Sequence, residues 1–184
     1  MEHIIREIRK DELYLLDDFL YEAIFVPQWF KGEIPKSIIY TEPKIYASIK
    51  DFGLYSDDHC LVAEVSGKVI GAVWVRTTDE YGHIDDDTPS FAISLYKEYR
   101  GHGIGTQMMK RMLCYLKEKG YKRASLGVNK ENYAVKMYQN VGFEIVGDGA
   151  DETEWLMICD LVEKGGERYV KKSGSYAYKY VYDI

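Results

Sequence analysis

Tyr99-Arg100-Gly101-His102-Gly103-Ile104-Gly105-Thr106 is the stretch on which the fold turns. It follows a β-rich run, Ser90 to Tyr96. It opens a segment whose apolar residues Ile104, Met108, Met112 and Leu116 recur at helical spacing. Glycines at alternate positions let a backbone turn tightly and present N–H groups toward one point. A helix N-terminus adds about half a positive charge there. The combination makes a seat for phosphate oxygens, and Arg100 and His102 add donors, the arginine with bidentate reach. The bland alternatives are a tight turn and a solvated loop arginine. Two standard nucleotide patterns do not fit. The dinucleotide fingerprint G-x-G-x-x-G fails where its third glycine falls on Thr106, and the P-loop fails because no lysine follows Gly105.

Outward from this loop, strand and helix patterns alternate. His3 to Ile8 reads as a first strand. Asp11 stands where it can cap a helix carrying Leu13, Leu16, Leu20 and Ile24, which Pro27 ends. Val26 to Tyr40 reads as a loop with a short helix, and Ile45, Ile49 and Phe52 form a second helical stripe closed by Gly53. Cys60 to Val65 and Lys68 to Thr77 are strands joined at Ser66-Gly67, a hairpin signal. Beyond the glycine loop come a strand at Ala124 to Val128, a short helix with Ala134, Tyr138 and Val141, and strands at Phe143 to Val146 and Glu154 to Cys159. This order predicts an α/β domain, a mixed sheet with helices on both faces. The expected division is residues 1–162 as that domain and 163–184 as a Tyr-rich extension forming a β-hairpin around Ser173-Gly174-Ser175. Tyr176, Tyr178, Tyr180 and Tyr182 share one face of its second strand. Such a face is expected to pair with the sheet edge or with a second subunit, the latter giving a homodimer.

The chain has 184 residues and a formal charge of −6. The acidic balance lowers the weight of nucleic-acid binding, and no apolar run reaches membrane-spanning length. The first residues lack the apolar stretch of a signal peptide. Three well-separated cysteines suit neither a disulfide framework nor a zinc site, and together these features imply a cytoplasmic protein. No metal is expected, since His3 and His59 have no sequence partners suggesting one.

Arg100-Gly101-His102-Gly103-Ile104-Gly105 resembles the Arg/Gln-x-x-Gly-x-Gly/Ala loop of the GCN5-related N-acetyltransferases (GNAT). The segment from Val128 through Asn132, Ala134 and Tyr138 to Gly142-Phe143 is similar to that family's second hallmark, and one helix and one strand separate the two. The resemblance spans residues 3–161. It implies a largely antiparallel sheet with a splayed central strand pair, near 90–96 and 124–128, and acetyl-CoA in the gap. By the same resemblance the pantetheine arm pairs with the backbone of Ile93, Ser94 and Leu95, the pyrophosphate sits on His102 to Thr106, and Asn132 reaches the pantetheine. Tyr138 is implied as the acid that protonates the leaving thiolate. Taken alone, Tyr138 also fits a packed core tyrosine, and Asn132 fits a helix cap.

The implied function is direct acetyl transfer to the primary amine of a small molecule or a protein. The alternative is a non-catalytic acyl-CoA-binding or sensing module. For the acceptor side the expected residues are His83, Asp85, Asp86 and Asp87, with Trp29 and Phe30 on the opposite wall. Carboxylates facing aromatic walls attract cations, so an acceptor with a second positive charge is expected. A solvated acidic turn is the bland reading of the same aspartates.

Overall fold

Lys68–Arg76 (β3) is apolar at most positions and buried from Ile70 onward, so it needs packing on both faces. The computed structural model describes residues 1–79, 81–162, 170–172 and 175–177, and supplies both layers. The strands flanking β3 are Ile4–Glu7 (β1), His59–Val65 (β2) and Ser90–Leu95 (β4). The others of the sheet are Arg123–Asn129 (β5), Glu144–Asp148 (β6) and Glu154–Asp160 (β7). The spatial order is β1-β2-β3-β4-β5-β7-β6, and every neighbouring pair is antiparallel except β4–β5. The β2–β3 turn has Ser66 at φ 49° and Gly67 at φ 79°, as a two-residue hairpin turn of primed type requires.

One layer is Ile104–Glu118 (α4) with the short Val135–Asn140 (α5). From α4, Ile104, Met108, Met109, Met112 and Leu116 are fully buried against Val73, Val75, Phe91, Leu126 and Met157. The other layer is Leu15–Ala23 (α1) with the short Ile38–Thr41 (α2) and Pro43–Ala47 (α3). Leu16, Phe19, Leu20 and Ile39 pack there on Val62, Ala72 and Trp74. These two cores confirm a mixed, mostly antiparallel sheet covered on both faces. Among the described residues no helix is long and apolar enough to cross a membrane.

Two local expectations are corrected. Asp11 does not cap α1. Residues Lys10–Glu12 form a 3₁₀ turn, in which Glu12 accepts from Arg6 (2.7 and 2.8 Å) and from the Arg9 N–H (2.9 Å), and the helix begins only at Leu15. The second stripe is one turn of helix rather than a helix to Phe52. Arg76 reaches across from β3 and donates to the carbonyls of Ala47 (2.7 Å) and Lys50 (2.8 Å), which a continuing helix would use itself. The guanidinium is buried, pairs with Asp58 at 3.0 Å and lies against the rings of Phe52 and Tyr55. In the extension, Val170–Lys172 (β8) and Ser175–Ala177 (β9) pair antiparallel with each other as a separate small sheet. The expectations for Tyr178, Tyr180 and Tyr182 lie outside the described residues.

Candidate active site

β4 and β5 run parallel but pair at one position only, Ser90 opposite Ser125, where the Ser125 N–H donates to Pro89 O (3.0 Å). Beyond it the strands part. A cleft of about 1170 Å³ opens toward their C-terminal ends. Its walls are the end of α1 and the loop to Ile34, the exposed backbone of β4, the glycine loop, and the segment from Glu131 to Tyr138.

Strand alternation decides which backbone groups face the gap. Pro89 O points to β5, and the Tyr96 N–H points the other way, to Ile70 O on β3. Consecutive residues of a strand alternate sides, so Ile93 and Leu95 present their N–H and C=O groups to the cleft. Ser94 turns its backbone to β3, and its hydroxyl donates to Phe19 O at 2.6 Å. Of the three residues expected to pair with an extended ligand, Ser94 thus lines the cleft without a free backbone group, and its hydroxyl ties β4 to α1. The Leu95 carbonyl is already taken by Arg100 Nε (2.8 Å).

The glycine loop closes one end of the cleft. Gly101 and Gly103 have φ of 80° and 78°, and a Cβ on either would meet nothing within 4 Å. Their requirement is conformational, and the space above them is open. Gly103 immediately precedes α4, and no side chain caps that helix. The first N–H groups of a 15-residue helix are thus left for a ligand. Gly105 is different: a Cβ there would lie 3.3 Å from Leu95 Cδ1 and 3.5 Å from Met137 Sδ, so its smallness lets α4 start close to β4 and α5. Thr106 also lines the cleft, whereas His102 does not and is exposed, and the Ile104 side chain is buried in the core below.

Arg100 lines the cleft but does not offer an unengaged fork. Its Nη2 pairs with Glu22 Oε2 at 2.7 Å, so the guanidinium links the glycine loop to the end of α1. Asn132 does not cap α5, whose N-cap is Ala134 with no side-chain bond; its Oδ1 accepts from the Ala134 N–H (2.9 Å) in the turn before the helix, while it also lines the cleft. Tyr138 is 9% exposed, lines the cleft, and its ring packs edge-on near Phe143 at 6.2 Å. Burial holds its hydroxyl well above the ordinary phenol value, with a smaller push from Tyr133, so it stays protonated throughout the neutral range.

The expected acceptor residues divide. Trp29 lines the cleft and is 70% exposed, and Phe30 stands edge-on to it at 6.5 Å but outside the lining. His83, Asp85, Asp86 and Asp87 do not line the cleft. Asp85 pairs with Arg123 at the closed end of the V, where Arg123 also donates to Thr88 Oγ1 (2.7 Å). The placement of these aspartates as a wall of the cleft is thereby corrected: attraction within the chain pins the turn to the foot of β5.

The acetyltransferase (GNAT) family matches residues 22–143, well over half of the sequence. The chain belongs to this family. It is 30% identical over 152 residues to an uncharacterised N-acetyltransferase of Methanocaldococcus jannaschii, covering 77% of this chain and 61% of that one. It is also 30% identical over 98 residues to the probable N-acetyltransferase camello of Xenopus laevis, covering 52% and 43%. The chain thus spans less than two thirds of the length of either relative. In fold it is similar to the PaiA N-acetyltransferase of Thermoplasma acidophilum, solved in complex with coenzyme A. The TM-score is 0.62 at 19% identity, over 87% of this chain and 99% of that one.

Several lining residues of this GNAT domain escaped sequence reasoning. Glu22 pairs with an arginine 78 positions away, and no local pattern announces it. Phe25, Val26 and Ile34 supply an apolar wall from a loop whose course depends on tertiary contacts, among them the Tyr21 hydroxyl donating to Ile34 O (2.6 Å). Tyr133, beside Asn132, is 76% exposed at the cleft rim. Its place in the second hallmark was the available signal.

Proposed function

We propose that the protein is an acetyl-CoA-dependent N-acetyltransferase that acetylates a primary amine directly. The observation that carries the reading is the coincidence of three features on one cleft. They are unpaired backbone of β4 at Ile93, an uncapped helix N-terminus behind Gly103, and the protonated Tyr138 hydroxyl. The residues present fit the cofactor. An extended pantetheine can add to the free edge of β4 as a strand would, and pyrophosphate suits the α4 N-terminus. Acetyl-CoA supplies an acetyl thioester when bound.

The chain's own groups account for the rest. The backbone of Ile93 and Leu95 and the α4 N-terminus hold the donor in line, and proximity to a bound acceptor lowers the barrier. The Ile93 N–H is a preorganised donor for the thioester oxygen. Tyr138 gives its proton to the departing sulfur. Arg100 positions the glycine loop through Glu22. A buried, protonated hydroxyl on the cleft favours catalysis over passive binding. The free thiols Cys60, Cys114 and Cys159 support a reducing, cytoplasmic setting, and the period-two tyrosines of the extension support self-association as a homodimer.

The test is release of free thiol from acetyl-CoA with an amine panel: spermidine, an aminoglycoside, lysine and a peptide with a free N-terminus. Turnover with at least one, confirmed as an N-acetyl product by mass, is the expected result. CoA binding without transfer to any amine would leave only a binding module.

A further inference from the structure

The Ser125 N–H donates to Pro89 O across the gap, so two residues on, Gly127 turns its backbone to the gap as well. The connection from β3 to β4 is packed on that edge. A Cβ on Gly82 would lie 2.4 Å from Gly127 N, and Tyr81 O accepts from the Ser90 hydroxyl at 2.8 Å. Backbone therefore plugs the narrow end of the V, and an acceptor must enter by the open mouth that the donor also uses. The mouth has room for both: about 1170 Å³ exceeds the roughly 300–1,000 Å³ of an ordinary ligand pocket.

The loop after α1 gives that mouth an apolar wall of Phe25, Val26, Trp29 and Ile34. Phe25 and Ile34 are half-buried, and Val26 and Trp29 are exposed. The wall has a fixed course: the Tyr21 hydroxyl donates to Ile34 O (2.6 Å), and the Phe30 N–H donates to Pro27 O (3.0 Å). Charge in the lining is balanced. Among the described residues it consists of two acids, Glu22 and Glu131, and two bases, Lys97 and Arg100. Glu22 is paired with Arg100 at 2.7 Å, and Glu131 is exposed on the segment that leads to Tyr138. A second ammonium on the acceptor, laid against the loop wall, would lose water and gain no partner. An apolar group there loses nothing by the exchange and covers side chains otherwise left in water.

We propose that the acceptor is a primary amine on an apolar body with no second charge, an aryl or alkyl group seated against Val26 and Trp29. The inference rests on the acetyltransferase reading and names the substrate class of that same cleft. It departs from the expectation of a doubly charged acceptor, because the aspartates behind that expectation do not line the cleft. The apolar body draws its binding from area removed from water, and a fully buried methylene is worth about fourfold in affinity. The amine lies at the other end of the molecule, toward Tyr138 on the same cleft. Free amines and the first residue of a peptide share this chemistry, and the assay separates the two sources.

The experiment measures thiol release from acetyl-CoA with matched amines. Propylamine and hexylamine differ in apolar length alone, and hexylamine and 1,6-diaminohexane differ by one terminal charge. Wild type should use hexylamine at least about tenfold better in kcat/KM than either of the other two. Trp29→Ala should lose about tenfold on hexylamine, and Val26→Asp should move the hexylamine-to-diamine ratio about tenfold toward the diamine. Both positions are exposed, so both variants should fold, and their Kd for CoA should stay within about twofold of wild type. Phenethylamine and a tripeptide beginning with phenylalanine are set against a tripeptide beginning with lysine. Either of the first two outrunning the third supports the class and tells which source carries the apolar body. The diamine or the lysine tripeptide used as well as hexylamine overturns it. Loss of CoA affinity in Trp29→Ala equal to its loss on hexylamine assigns the wall to the donor and also overturns it. Wild type that acetylates no amine at all refutes the activity and the acceptor class with it, whereas a preference for charged amines refutes the class alone.

Discussion

Replacing Tyr138 by Phe removes one oxygen and leaves the ring where it is. The ring's place in the α4 core and its edge contact with Phe143 do not depend on the hydroxyl. Melting temperature should therefore change little, within the few degrees that about 1 kcal/mol moves a domain of this size. Catalysis should change a great deal. General acid catalysis is worth about 10²–10⁴-fold, equal to about 2.7–5.4 kcal/mol of barrier at about 1.36 kcal/mol per tenfold. The loss should fall on kcat, because the proton is given during transfer, and the CoA dissociation constant measured by calorimetry should stay within about twofold of wild type. The direction of the Tyr138 shift adds a second signature. Because burial raises the phenol, the donor form persists past the ordinary value of about 10. The alkaline limb of kcat attributable to this group should lie above that value and vanish in the variant. Full activity in a Tyr138→Phe protein of unchanged stability would refute the role given to this hydroxyl and return Tyr138 to core packing.

Two further outcomes follow from the geometry. Joint replacement of Asp85, Asp86 and Asp87 by Asn should leave kcat/KM and its dependence on ionic strength unchanged. Loss of the Asp85–Arg123 pair should appear only as lower stability in thermal unfolding. Arg76→Met should destabilise by about 3–5 kcal/mol near neutral pH, since it leaves Asp58 buried without its partner. Burial already raises the Asp58 carboxyl. Ionising it in the fold therefore weighs against stability as pH rises from the unfolded-state value through the folded one. The penalty of Arg76→Met should accordingly shrink as pH falls toward the ordinary carboxylate value, a trend that denaturant titrations at several pH values will show.

What was legible in the sequence was local. Gly101, Gly103 and Gly105 declare a turn into a helix within six residues, and Ala134 to Val141 declares a short helix on the other wall. Ser66-Gly67 declares its hairpin. What was not legible depends on parity or on distance in the chain. Ser94 sits between Ile93 and Leu95 in sequence, yet only the register with β3 shows that its backbone faces away from the gap. Asp85 looked like a free acid because Arg123 is remote from it, and Arg100 looked like a free donor because Glu22 is.

The central claim is that the V between β4 and β5, closed by the glycine loop, holds acetyl-CoA. Calorimetric titration of CoA into wild type, Gly103→Ala and Gly103→Glu tests it most directly. Both variants carry the strain of a side chain at φ 78°, and neither Cβ meets a neighbour. Only the glutamate adds charge. A carboxylate about 4 Å from a phosphate charge, at an effective dielectric constant of about 20, costs about 4 kcal/mol, on the order of 10³-fold in affinity. One CoA per chain is expected for wild type, a modest loss for Gly103→Ala, and a loss of at least about 100-fold for Gly103→Glu in a folded protein. Wild-type affinity in Gly103→Glu, or no binding of CoA by wild type, would contradict it.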